Sequence, residues 1–199
     1  MTDRFLERLE QLFRPIDGWG AFRRGARQAA VVFILYRQAG RWMVPFVRRR
    51  VDLRDHPGQV ALPGGGVEQG ESAWEAAQRE VAEEIGVPAG RLQPLGAGDP
   101  IYAAVTNFSV VPFVAYMPEP VESFVHDVRE LDGVLAIPLD RLLDDSAWLQ
   151  SEEPWRFRYL AHEEGVVWGL TERIVYGLAP KLRQALDEGQ SSDPPAAES

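Results

Sequence analysis

Three carboxylates, Glu80, Glu83 and Glu84, fall just after the glycine run Gly64-Gly65-Gly66. Glu80 and Glu84 stand at i,i+4, so on a helix they repel each other by about 0.2–0.5 kcal/mol, and Glu83 adds to the same field. A divalent cation reverses that sign. Hard cations such as Mg²⁺ take oxygen ligands, often one or two carboxylates together with substrate phosphates. The competing reading is a solvated acidic face on which Glu75–Arg79 and Arg79–Glu83 ion pairs absorb the charge.

The element carrying these groups can be placed from its ends. Ser72 and Glu75 have capping-box spacing, and Gly86 stands where a helix C-cap belongs. The spacing predicts a helix over about 73–85. Trp74, Ala77, Val81 and Ile85 then form one apolar stripe, with the three glutamates at its edge.

The full run is Gly65, five residues, Glu71, seven residues, Arg79-Glu80-Val81, one residue, Glu83-Glu84, one residue, Gly86-Val87. It resembles the signature of the Nudix hydrolases. That resemblance implies an α/β protein with the Nudix fold, an α/β/α sandwich around a mixed β-sheet with a loop-helix-loop catalytic motif. It implies Mg²⁺ or Mn²⁺ as cofactor, with Glu80 and Glu84 as main ligands. Glu83 would be a further ligand or water-orienting group, and the Gly64 carbonyl an additional ligand. Glu71 and Arg79 would pair and fix the helix. The implied reaction is hydrolysis of a small-molecule diphosphate. No protein nucleophile is required, in keeping with the absence of cysteine.

Upstream, RRRVDLRDHPGQVALPGGG resembles the segment preceding the signature in the coenzyme A diphosphatase branch of that family. Arg49, Arg54, Gly58, Pro63, Gly64 and Gly65 match its spacing. Arg50 stands at a small-residue position, Leu62 replaces phenylalanine, and Pro45-Phe46-Val47 replaces Leu-Leu-Thr. The substrate implied is coenzyme A or an acyl derivative, with Arg49, Arg54, Gly58 and Gly65 at the substrate. Arginine forks suit phosphate oxygens. Surface pairing of these arginines with Asp52 or Asp55 is the alternative. Other readings are a Nudix hydrolase of ADP-ribose, a dinucleotide, a nucleotide sugar or an NTP, or a non-catalytic Nudix-fold binding protein. The intact Arg79, Glu80, Glu83 and Glu84 speak against the last. By position Glu130 is a candidate general base, set against a solvated loop glutamate. His56 belongs to an HPG turn that could meet substrate, while His126 and His162 read as surface residues. Trp168 with Gly169 is expected to pack the last helix on the sheet.

The elements that must hold this site are also visible. Helical spacing covers Asp3 to Phe13, and Gln28–Tyr36 and Trp42–Val47 read as a hairpin through RQAGR. Leu92–Met117 offers two strand regions and Gly133–Leu139 another, and Trp168–Leu186 reads as a closing helix that Pro180 kinks. The expected division is residues 1–27 as helix and lead-in, 28–188 as the hydrolase domain and 189–199 as a disordered polar tail. Of 199 residues 45% are hydrophobic, enough for a full core. A net charge of −9 argues against nucleic acid or an anionic membrane as partner. With no cysteine and no long apolar run, a cytoplasmic protein is expected.

Overall fold

A computed structural model describes residues 3–19, 23–52, 58–119, 123–152 and 156–190. Arg54, His56 and the 191–199 tail lie outside these. Helix α1 (Arg4–Leu12) starts at Asp3, whose side chain accepts from the Phe5 amide at 3.0 Å. Strands β1 (Arg27–Gln38) and β2 (Arg41–Arg49) form the expected hairpin, turning through Ala39 and Gly40, both at positive φ. Strands β3 (Val60–Ala61) and β4 (Gly64–Gly66) lead into helix α2 (Ala73–Ile85). Strands β5 (Gln93–Ala97), β6 (Ile101–Ala103) and β7 (Phe108–Tyr116) come next, one strand more than the sequence suggested. Strand β8 (Leu131–Pro138) runs into the short helix α3 (Leu139–Leu143). A small meander of β9 (Trp148–Gln150), β10 (Arg158–His162) and β11 (Gly165–Trp168) precedes helix α4 (Leu170–Gln190), which contains Pro180.

The strands form one mixed sheet in the order β5-β7-β1-β2-β3-β11-β10-β9, with β4 beside β1, β6 beside β7 and β8 beside β2. The β1–β7 and β3–β11 pairs are parallel, the others antiparallel. Strand β1 is apolar on both faces because both are covered. Ala30, Val32, Ile34 and Tyr36 join the core beneath α2, while Phe33 and Leu35 join the core that holds α1 and α4. The result is the α/β/α sandwich that the resemblance implies. Helix α1 contributes Phe5, Leu6 and Leu9 to that second core, and its Arg8 pairs with Glu188 of α4.

Trp168 corrects an expectation. It ends β11 instead of opening the last helix, and at 43% exposure it is not a core residue. Its neighbour Val167 fills the core position on that strand, since alternate residues face opposite sides.

Candidate active site

The signature helix is fixed at both ends. Ser72 and Glu75 exchange the two capping-box bonds, at 3.2 and 2.8 Å, and Gly86 closes the helix in the left-handed conformation. A side chain at Gly86 would meet the Val125 carbonyl at 2.8 Å, so space as well as φ requires glycine. Ala73, Ala76, Ala77, Val81 and Ile85 face the sheet and are buried. Small residues there let the helix lie close to β1 and β4.

That close approach brings Glu84 inside. Glu84 is only 9% exposed, and its Oε2 accepts from the Gly64 amide at 2.9 Å. Burial pushes its pKa up to about 8; the Gly64 bond and Arg49 oppose the rise, while Glu80 and Glu130 add to it. Burial also raises Glu80, against its bond to Arg79. Gly65 makes room for this second carboxylate, since a Cβ at Gly65 would stand 2.4 Å from the Glu80 carboxyl carbon.

Arg79 ties the loop to the helix. It donates to Glu71 at 2.9 and 3.2 Å, to the Gly66 carbonyl at 3.1 Å, to Glu80 at 2.9 Å and to Glu83 at 3.4 Å. Glu71, which also accepts from the Glu68 amide at 2.7 Å, is held below its usual pKa by Arg79. Of the two ion pairs weighed from the sequence, Arg79–Glu83 is present.

The remaining candidates are less uniform. Arg49 ends β2, and its charge acts on Glu84. Glu130 is exposed just before β8, accepts from the Arg50 amide at 3.0 Å through its carbonyl, and acts on the same carboxylate. Gly58 sits at φ 67°, and its amide donates to the Arg50 carbonyl at 3.4 Å. Arg50 pairs with Asp52, as in the surface alternative. Two contacts were not anticipated: the Gly64 amide donates to the Glu84 carboxylate, and the Asp127 amide donates to the Glu84 carbonyl at 3.3 Å. Backbone donors leave no mark in a side-chain pattern. His162 Nδ1 accepts from the Glu164 amide at 3.2 Å and His126 is half-buried, both apart from the signature's hydrogen bonds.

Among the described residues no three His, Cys, Asp or Glu side chains converge as a finished metal cage. Arg79 holds oxygens of Glu80 and Glu83, and the Gly64 amide holds one of Glu84. The donor set nevertheless fits a divalent cation. A desolvated carboxylate with one neutral donor, beside a second whose charge raises its pKa, is stabilised by a hard cation with oxygen ligands. No helix among the described residues is long and apolar enough to cross a membrane.

The NUDIX domain family matches residues 26–166. The uncharacterized Nudix hydrolase NudL of Escherichia coli K12 is 34% identical over 188 residues, covering 90% of this chain and 94% of that protein. Nudix hydrolase 3 of Caenorhabditis elegans is 34% identical over 122 residues, covering 60% of this chain and 50% of its own length. Among solved structures, the Nudix hydrolase RenU of M. smegmatis aligns with a TM-score of 0.54 at 20% identity, covering 86% of this chain and 96% of RenU. The Ap4A hydrolase of C. elegans aligns with a TM-score of 0.52 at 17% identity, covering 84% and 99%. These structural likenesses bear on fold alone. The family match across most of the chain, together with a relative similar along nearly its whole length, shows that the protein belongs to the Nudix family and is a hydrolase of nucleoside diphosphate-linked substrates.

Proposed function

We propose that this enzyme cleaves the diphosphate of coenzyme A or acyl-CoA, giving adenosine 3′,5′-bisphosphate and (acyl-)4′-phosphopantetheine. The observation that carries the reading is Arg49: the residue singled out by the upstream spacing lies close enough to Glu84 to act on its charge. A phosphate bound there would meet arginine on one side and the carboxylates on the other.

Glu80, Glu84, Glu83 and the Gly64 carbonyl are the proposed ligands of Mg²⁺ or Mn²⁺. When bound, such a cation supplies charge shielding at the phosphates and an acidified water. Arg79, pinned by Glu71, sets where Glu80 and Glu83 point. Arg49 and Arg54 bind phosphate oxygens, and Glu130 is the proposed proton acceptor. Residues 28–188 form the proposed catalytic unit, with α1 bracing its outer core. A turnover screen of coenzyme A, ADP-ribose, NADH and dinucleoside polyphosphates tests the reading. Coenzyme A should give the highest kcat/KM; preference for another member sinks the substrate and leaves the family chemistry standing.

A further inference from the structure

Four of the large exposed apolar side chains share one face of the β9-β10-β11 meander: Leu149 at 46%, Phe157 at 39%, Val166 at 38% and Trp168 at 43%. Tyr159 lies opposite both Leu149 and Trp168. The Phe157 ring stands 5.4 Å from Trp168 and 6.0 Å from Tyr159. Contiguous exposed apolar surface of this kind marks a binding face more often than chance. The register fixes which side it occupies. Val167 pairs with Val60, and both belong to the α1/α4 core; Ala61, opposite Val47, packs under α2. By alternation Val166 and Trp168 therefore lie on the α2 side, the side of the candidate active site.

The two ends of this face differ in charge. The Arg49 amide bonds the Gln59 carbonyl at the start of β3. Strand β3 then runs away from Arg49 toward Pro63 and Gly64, and β11 runs parallel to it, so Trp168 lies toward the Gly64 end. Phe157, just ahead of the antiparallel β10, lies farther the same way. One inter-strand step of about 4.8 Å separates the meander from the strand that enters the signature loop. Arg49 thus flanks one end of this face and aromatic rings the other.

We infer that the Phe157-Tyr159-Trp168 face seats the uncharged, non-nucleotide arm of the substrate, while the arginine end takes the phosphorylated nucleoside. This rests on the coenzyme A reading, whose substrate has one highly charged half and one uncharged half. Removing exposed rings leaves the core intact, so Trp168→Ala and Phe157→Ala should fold with unchanged melting temperature. Calorimetry with Mg²⁺ present, using 4′-phosphopantetheine and adenosine 3′,5′-bisphosphate as separate probes, is the test. Each variant should weaken the first by about tenfold and spare the second, and Trp168→Phe should restore much of the loss. Equal effects on both probes, no effect, or no binding of 4′-phosphopantetheine to the wild type would overturn the inference. So would sedimentation showing a wild-type dimer that Trp168→Ala splits, since the face would then be a subunit contact. Coenzyme A turnover by the same wild-type preparation is scored independently: its absence with arm binding retained removes the substrate reading alone.

Discussion

The two long helices on opposite faces of the sheet bury different chemistry. Helix α4 presents Ile174, Val175, Leu178, Ala179, Leu182 and Ala185 to its core, with Thr171 as its only buried polar residue among those described. Helix α2 presents three alanines, Val81 and Ile85, and buries Glu84 among them. Large side chains hold α4 to the sheet, whereas small ones set α2 close enough for a carboxylate to reach the Gly64 amide. The α4 face is held by apolar packing, and the α2 face gives one buried position to a charge-bearing group.

The sharpest test of that contrast is Glu84→Gln. The amide keeps the volume and loses the charge, so kcat should fall by about a thousandfold, or ~4 kcal/mol, while the metal-free protein stays folded by circular dichroism. Full activity would end the assignment of Glu84. Titration should expose the same residue. Because the folded-state pKa of Glu84 is raised to about 8, its contribution to stability is present below the ordinary carboxylate range and lost as pH rises toward 8. The metal-free unfolding free energy, read from denaturant titrations, should decline over that window by up to about 1.4 kcal/mol per pH unit, and Mg²⁺ or the Glu84→Gln change should flatten the decline.

On the opposite face, Leu182→Ala should cost about 3 kcal/mol in denaturant unfolding, independent of Mg²⁺, with kcat of the folded fraction unchanged. Arg49→Ala should lower kcat/KM for coenzyme A by about ten- to a hundredfold, the worth of a charge-assisted bond of roughly 1.5–3 kcal/mol. Repeating the assay with 3′-dephospho-coenzyme A tells which phosphate it meets: a loss confined to coenzyme A indicates the 3′-phosphate, and equal losses indicate the diphosphate. Glu130→Gln should have the smallest effect, a drop in kcat of about tenfold or less; a loss matching that of Glu84→Gln would make it a principal catalytic group.

What the sequence disclosed follows the same division. The α2 unit was legible because caps, helical period and motif spacing all act locally between Ser72 and Gly86. The meander was overlooked, although Phe157, Tyr159, Ala161 alternating with Arg158, Leu160, His162 carries a period-2 signal. Its strands are only three to five residues long, and their pairing with β3 joins residues more than a hundred positions apart. Trp168 was misplaced for a related reason: nothing within the chain's own neighbourhood says that a tryptophan between Val167 and Gly169 faces outward. Conversely, the approach of Arg49 to Glu84 depends on strand register, yet the upstream spacing had already singled the residue out.

Gly65 gives the contrast a practical edge. The atoms that a side chain there would strike belong to the far end of Glu80, a flexible group, and not to backbone. A methyl at this position would therefore act as a wedge, turning one acidic arm aside while leaving the hydrophobic scaffold seated. Gly65→Ala offers a route to an inert but well-folded form, in which loss of one acidic arm is separated from loss of the scaffold.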